Sequence, residues 1–389
     1  MAEATKPTLG ELVLVFLRLG CTAFGGPAAH IAMIRSELVE RRKWVSEGDF
    51  IDMLGAASLV PGPTSTELAL HIGYKLASLS GLAAVGISFI LPAFLLVLAL
   101  AALYVAYGSL PAFTAVLHGL KPVVLAVVFQ AVWLLSITVF KTNWLRLLAL
   151  LVVLFSCLGR PPAILLFAAG LLAALVHYLK SKPPRENLTM VILTGACSFV
   201  ISGTWLLGAF SPAVSKFSLS ALALYFLKIG AVLYGSGYVL LAFLRSDLVE
   251  RYHWLTSAQL LDAVAVGQLT PGPLFTTATF IGYVLGGVFG AMLATVAIFL
   301  PGFVFVAVTA PLIQKMRSST LSGYFLDAVN AAALALMTTV LYQLGREALY
   351  GWFPQVIALL STFLLLRYKV NSLWLMLVGA ICGLIFLKS

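Results

Sequence analysis

Residues 35–44 read RSELVERRKW and residues 245–254 read RSDLVERYHW, identical at seven of ten positions. The likeness extends outward in both directions. Upstream, Phe16-Leu17-Arg18-Leu19-Gly20 stands against Phe226-Leu227-Lys228-Ile229-Gly230. Downstream, Pro61-Gly62-Pro63 stands against Pro271-Gly272-Pro273, and a constant offset of 210 aligns everything between without a gap. One residue then drops out. At an offset of 209, Gly73-Tyr74 meets Gly282-Tyr283, Pro92 meets Pro301 and Gly170 meets Gly379. Chance agreement would be roughly one position in ten or fewer, so this is an internal repeat.

The repeated unit is apolar. Of 389 residues, 61% are hydrophobic and 10% charged, against about 25% charged in soluble domains; the mean hydropathy is +1.06. Runs long enough to span a bilayer, about 20 residues, recur at 82–106, 112–138, 188–210 and 288–313, with shorter pieces at 144–158, 162–179 and 355–387. These features predict an all-α polytopic membrane protein with no room for a sizeable soluble domain. The net charge is +10, from 24 Lys and Arg against 14 Asp and Glu. In a membrane chain this reads as the basic bias of cytoplasmic loops rather than a nucleic-acid surface, and it is compatible with a basic vestibule for an anion. Cys21, Cys157, Cys197 and Cys382 are scattered, with no CxxC and no Cys/His cluster. No metal site, redox pair or cofactor is expected. Arg18 interrupts the first apolar run and no cleavage site follows, so that span is expected to be retained.

The expected division is a first transporter repeat over 1–180, a linker over 181–221 and a second repeat over 222–389. Lys180-Ser181-Lys182-Pro183-Pro184-Arg185 is the stretch most like a linker, and an extra crossing is expected at 188–210. In the first half, loops 35–43, 139–146 and 180–185 carry nine Lys and Arg, while loops 107–113 and 159–162 carry one. The equivalent sets in the second half are Arg245, Arg251, Arg346 and Lys388 against Lys315, Arg317, Arg367 and Lys369. The bias is erased without being reversed. An inverted second repeat is the expectation, with the protein multi-pass in a bacterial cytoplasmic (inner) membrane.

Chemistry is concentrated at Gly/Pro breaks within the apolar segments. These are Phe24-Gly25-Gly26-Pro27 and Pro61-Gly62-Pro63-Thr64-Ser65-Thr66, with counterparts at Tyr234-Gly235-Ser236-Gly237 and Pro271-Gly272-Pro273, then Thr276 and Thr277. Proline removes a helical donor, and non-helical backbone at membrane depth is tolerated only where protein or a cavity surrounds it. Each break starts a new helix, whose free N–H groups and positive dipole end favour an anion. The hydroxyls of Thr64, Ser65 and Thr66 add donors. Simple kinks are the alternative, but four breaks at duplicated places favour a site. Arg18 and Lys228 share one repeat position and are candidate counter-charges, or else snorkel to an interface. Glu67 and His71 lie i, i+4 on one helix face, continued by Lys75 and without equivalents in the second half. With His30 they are proton-coupling candidates, against the plainer expectation that Glu67 pairs with Lys75 or His71. Arg35, Glu37, Glu40 and Arg41, like Arg245, Asp247, Glu250 and Arg251, read as solvated ion pairs. Lys121 opens a span and reads as a snorkelling lysine.

These motifs resemble the chromate ion transporter family, specifically its long two-domain form. The family's marks stand here as Phe24–Pro27 with His30-Ile31, as Pro61–Thr66, as Gly73-Tyr74 and as Leu91–Phe94, with degenerate counterparts such as Leu300-Pro301-Gly302-Phe303. The second half departs from the pattern at Ser236-Gly237 and Leu274-Phe275. The resemblance implies efflux of chromate from the bacterial cytoplasm, sulfate as an analogue, and repeats of opposite orientation.

The expectation is a secondary transporter for a tetrahedral oxyanion, working by proton- or anion-coupled alternating access and conferring chromate resistance. Sulfate uptake or exchange, a passive channel and an intramembrane enzyme are the rivals. The last lacks any GxSxG, HExxH, CxxC or dinucleotide fingerprint, so no enzyme activity is expected. Expected partners are chromate or sulfate, the lipid bilayer and a second copy in a homodimer.

Overall fold

The structure, a computed structural model, describes residues 7–23, 26–108, 110–181, 217–234, 237–312 and 320–386. Several residues singled out above lie outside the described ones: Phe24, Gly25, Gly235, Ser236, Cys197, the linker residues 182–185, the segment 188–210, Lys315, Arg317 and Lys388.

Among the described residues every regular element is a helix. The first half contains α1 (Leu9–Thr22), α2 (Gly26–Arg35) running into a π-helical turn (Ser36–Arg41), α3 (Glu47–Leu59), α4 (Thr64–Tyr107), α5 (Pro111–Val139), α6 (Asn143–Cys157) and α7 (Pro162–Ser181). The second half starts with α8 (Leu219–Val232). A 3₁₀ turn (Gly237–Val239) leads into α9 (Leu240–Leu244) and a second π-helical turn (Arg245–Arg251). Then come α10 (Ser257–Leu269), a 3₁₀ turn (Leu274–Thr276), α11 (Thr277–Thr309), α12 (Thr320–Ala348), α13 (Trp352–Arg367) and α14 (Ser372–Phe386). Helices α4, α5, α11 and α12 are long and apolar enough to cross a bilayer. Outward leucines such as Leu150 on α6 and Leu359 on α13 are 67% and 71% exposed. An exterior this apolar belongs against lipid tails, and the chain is a membrane protein.

Local sequence explains where the helices start. Thr8 and Glu11 form a capping box at α1, as Thr256 and Gln259 do at α10, each satisfying two N–H groups that the first turn leaves unpaired. Pro111 opens α5, where its missing N–H costs nothing.

Matching details recur in the two halves. Lys43 and His253, just past the two π-helical turns, have φ of 54° and 52°. Helices α4 and α11 are both broken inside, at Ala77–Ser78 and Gly286–Gly287. At each break the chain folds back on itself. A side-chain carbon at Gly73 would strike the Gly81 carbonyl, and one at Gly282 would strike that of Gly290. Small residues at such places let helix backbones touch. Helix α4 is therefore a short arm from Pro63 to the turn and a long arm returning across the molecule. Its 44 residues do not form one straight span.

The halves interlock. Helices α13 and α14 pack on α5, while α6 and α7 pack on α12. Helix α4 packs on α11, and α5 on α12. Beyond the C-terminal end of α5, Lys141 pairs with Asp327, near the start of α12, at 3.1 Å.

The charged stretch that reveals the duplication is used differently in its two copies. In the first, Arg35 pairs with Glu40 and Glu47, and Glu37 with Arg41 and Arg42, mostly in solvent. In the second, Arg245 is buried and bonds Glu250 and Glu347, the latter from the end of α12, and Asp247 is buried as well. The reading of solvated ion pairs holds for the first copy alone, because α12 covers the second.

Candidate functional site

The chain breaks of the two halves meet. Gly62 donates its N–H to the Leu233 carbonyl at 2.8 Å, and Gly272 donates to the Ala23 carbonyl at 3.0 Å. Each Pro-Gly-Pro turn is thus tied to the first break of the other half. Gly62 and Gly272 have φ of 133° and 102°, values that favour glycine. Pro61, Pro63, Pro271 and Pro273 are buried around them. Gly26 and Pro27 open α2 on the far side of the first break.

His30 joins the two breaks of the first half. Its Nε2 lies 2.9 Å from the Ala23 carbonyl, and its Nδ1 3.3 Å from Ser65 Oγ. A carbonyl only accepts, so Nε2 carries a proton, and in the neutral ring Nδ1 accepts from Ser65. Both ring nitrogens are engaged.

A cavity of about 1050 Å³ reaches this centre. Thr64, Tyr238 and Gln268, each close in sequence to a break, line it; Gln130, Asn330, Lys141, Asp327 and Lys369 also line it. Thr64 is the first residue of α4, and the N–H groups of Thr66 and Glu67 close on the Pro63 carbonyl. Those of Thr64 and Ser65 precede the helical ladder, as first-turn donors do. The Nε2 of Gln268 is buried, makes no well-aligned hydrogen bond among the described residues, and interacts with the Tyr238 hydroxyl beside it. A helix N-terminus, a hydroxyl and amide donors lining one cleft can hold a small anion through neutral dipoles.

The hydroxyl run after Pro63 divides. Thr64 lines the cavity, Ser65 serves His30, and Thr66 is buried with Oγ1 unpartnered among the described residues. In the second half Thr276 donates to the Pro273 carbonyl at 2.8 Å and Thr277 to that of Leu274 at 2.8 Å. The second half supplies Tyr238 and Gln268 to the cavity instead. Neither belongs to a repeated motif. Gln268, aligned with Ser58, is detectable only as an amide in an apolar helix.

Glu67 is 2% exposed, and its Oε2 has no hydrogen-bond partner among the described residues. Its carboxyl lies between Gly62 and Gly302, and a side-chain carbon at either glycine would collide with it. His71, one turn on, is 1% exposed with neither ring nitrogen bonded among the described residues. Lys75 does not reach Glu67; it pairs with Asp49 at 2.5 Å. The ion-pair reading of the Glu67 face fails, because α3 offers Lys75 a nearer carboxylate.

Arg18 is exposed on α1. Lys228 is half-buried and interacts with Asp247. Neither lines the cavity. Lys121 does not snorkel: it is buried and pairs with Asp262 of α10 at 3.1 Å. Tyr104 donates to the same carboxylate at 3.1 Å.

The chromate transporter family model matches residues 10–176 and again 220–384. The chain belongs to the chromate transporter family. It is 33% identical over 380 residues to the chromate transport protein of Cupriavidus metallidurans, covering 96% of this chain and 92% of that one. It is also 33% identical over 384 residues to the probable chromate transport protein of Synechococcus elongatus, covering 97% and 96%. A chromate transport protein of Pseudomonas aeruginosa is 31% identical over 351 residues, covering 88% and 83%. No solved structure matches. Membership makes this chain a transport protein, not an enzyme.

Proposed function

We propose that this chromate transporter family protein is a secondary active transporter that exports chromate across a bacterial inner membrane and so confers chromate resistance. The observation that carries the reading is the cavity ending at the joined chain breaks, in a chain that matches chromate transport proteins over nearly its whole length. The oxyanion sits at the N-terminus of α4, against Thr64, with Gln268 and Tyr238 facing it from the other half. Donor dipoles fixed in place hold a dianion without the entropy cost of gathering mobile cations.

The two transporter repeats are taken as 1–180 and 222–389, related by a half-turn about an axis in the membrane plane. Two features support this. The bonds Gly62–Leu233 and Gly272–Ala23 are reciprocal, as a two-fold relation requires. The end of α5 meets the beginning of its counterpart α12 at Lys141–Asp327, so the counterparts run in opposite directions. Alternating access is one half moving against the other around the joined breaks. Glu67, with His71 beside it, carries the coupling proton, since it is a buried carboxyl one turn beyond Thr64 and lies against glycines of both halves.

Everted vesicles carrying the protein should accumulate labelled chromate while the proton-motive force is present, because its electrical component, positive inside such vesicles, draws in the net negative charge of a dianion carried with one proton, and lose most of that uptake when it is collapsed. Uptake equal to that of vesicles without the protein would sink the reading. Uptake indifferent to the gradient would leave chromate transport and remove proton coupling.

A further inference from the structure

The correspondence between the halves is broken along the cavity. There α3 and α12 stand apart, with Leu54 and Ser58 on one wall and Asn330, Ala333 and Met337 on the other. Their counterparts at the repeat offsets are α10 and α5, and these two touch. The contact is polar at its centre. Lys121, the counterpart of Asn330, has its Nζ 3.1 Å from Asp262 Oδ1. Tyr104 O–H donates to Oδ2 at 3.1 Å, and the Phe280 ring closes over Tyr104 at 5.0 Å between centroids. Lys121 and Asp262 are 9% and 4% exposed. Oδ1 has no aligned hydrogen bond among the described residues, so charge rather than bond direction holds the pair.

Lys121 belongs to one half and its counter-charge to the other. Parting α5 from α10, as α12 and α3 are parted, would strip a buried ammonium of its carboxylate, and breaking such a pair is strongly unfavourable. A tetrahedral dianion offers the ammonium the same charge-assisted contact. We propose that Lys121 is an oxyanion-binding residue of the state open to the opposite face, and that Asp262 occupies its ammonium while that face is closed. The inference rests on the alternating-access reading above. Substrate takes the place of the carboxylate and lowers the cost of opening; without substrate the pair re-forms and seals that side. A ligand shifts a conformational equilibrium only through unequal affinity for its states. Lys121 supplies the inequality, because the corresponding position on the open side is the neutral Asn330.

The test uses the full chain in lipid nanodiscs, in a background lacking its cysteines, with radiolabelled sulfate and chromate as probes. Lys121→Met should weaken binding of both roughly ten- to hundredfold, the worth of a charge-assisted contact, and Lys121→Arg should restore most of it. Asp262→Asn, which uncovers the ammonium, should tighten binding. Thiol labelling gives an independent readout. Val264 is 1% exposed and is the counterpart of the partly exposed, cavity-lining Leu54. Asp262→Asn should raise labelling of Val264→Cys and lower that of Leu54→Cys, and added sulfate should do the same with Asp262 intact. Unchanged sulfate affinity in a Lys121→Met chain whose Leu54→Cys still labels overturns the proposal. Labelling of both thiols from the same face overturns the alternating-access reading instead.

Discussion

Gly62 donates its backbone N–H to the Leu233 carbonyl, 2.8 Å away in the other half of the chain. The counterpart bond, Gly272 to Ala23, is 3.0 Å. Two breaks that each leave backbone groups without helical partners therefore satisfy one another. At membrane depth an unsatisfied backbone group is costly, so the pairing lets non-helical chain persist where an anion can use the helix end beside it. It also fixes where one half stands relative to the other at the point on which the transport cycle would turn.

Gly62→Ala should lower chromate transport per copy at least tenfold. The residue has φ of 133°, and an added carbon meets the Glu67 carboxyl; backbone in such a region costs roughly 1–3 kcal/mol for a residue with a side chain. Gly48→Ala, with open space around its Cα, is the control. Equal loss in both variants, at equal membrane abundance, would show that the turn is not special.

Gln268→Leu and Tyr238→Phe should each raise the half-saturating chromate concentration several-fold, consistent with about 1 kcal/mol per neutral hydrogen bond, and leave thermal stability in detergent nearly unchanged. Thr276→Val should do the reverse. Its hydroxyl is bound to the Pro273 carbonyl, so its loss loosens the turn rather than the substrate. Concentration-dependent flux and melting curves for the three variants separate the two patterns.

Part of this architecture is legible in the amino-acid order. The helical and membrane character lies in the apolar runs, and the duplication in RSELVERRKW and RSDLVERYHW. What the sequence hides is partnership across the halves. Lys121 reads as a snorkelling lysine because nothing near it in sequence is acidic; its partner Asp262 comes from the other repeat. Lys75 shares a helix face with Glu67 and invites pairing, yet α3 brings Asp49 closer. Gln268 and Tyr238 have no motif around them, and the degenerate second Pro-Gly-Pro turn draws attention to Thr276, whose hydroxyl is already bound to backbone.

Stability should depend on pH through Glu37, outside the long apolar helices. It accepts from Arg42 at 2.6 Å and from Arg41 at 3.2 Å, and these bonds, that of Arg42 foremost, hold its carboxyl below the usual 4.5. A depressed folded-state value contributes stability above the unfolded value and loses it as pH falls through the folded one. The parent should therefore melt higher than Glu37→Gln at pH 7, by no more than about 3 °C, and the gap should close in acid below the ordinary carboxylate range. A gap that widens on acidification would rule out this account.

Glu67→Gln should separate proton coupling from anion binding. The carboxyl is buried one turn beyond Thr64, with Oε2 unbonded and glycines from both halves against it. A dianion held at Thr64 and a proton held at Glu67 attract each other, so each raises the affinity for the other by the same factor. The amide keeps the shape and hydrogen-bonding capacity of the protonated acid and cannot release the proton. Sulfate and chromate binding should then persist within a few-fold of the parent, while the dependence of flux on pH flattens. His71→Gln, removing the neighbouring unbonded ring, should weaken the pH dependence less. Flux by Glu67→Gln that keeps the parent's slope against pH would mean that the proton travels elsewhere, and that the carboxyl in its glycine-lined slot serves only to set the spacing between the halves.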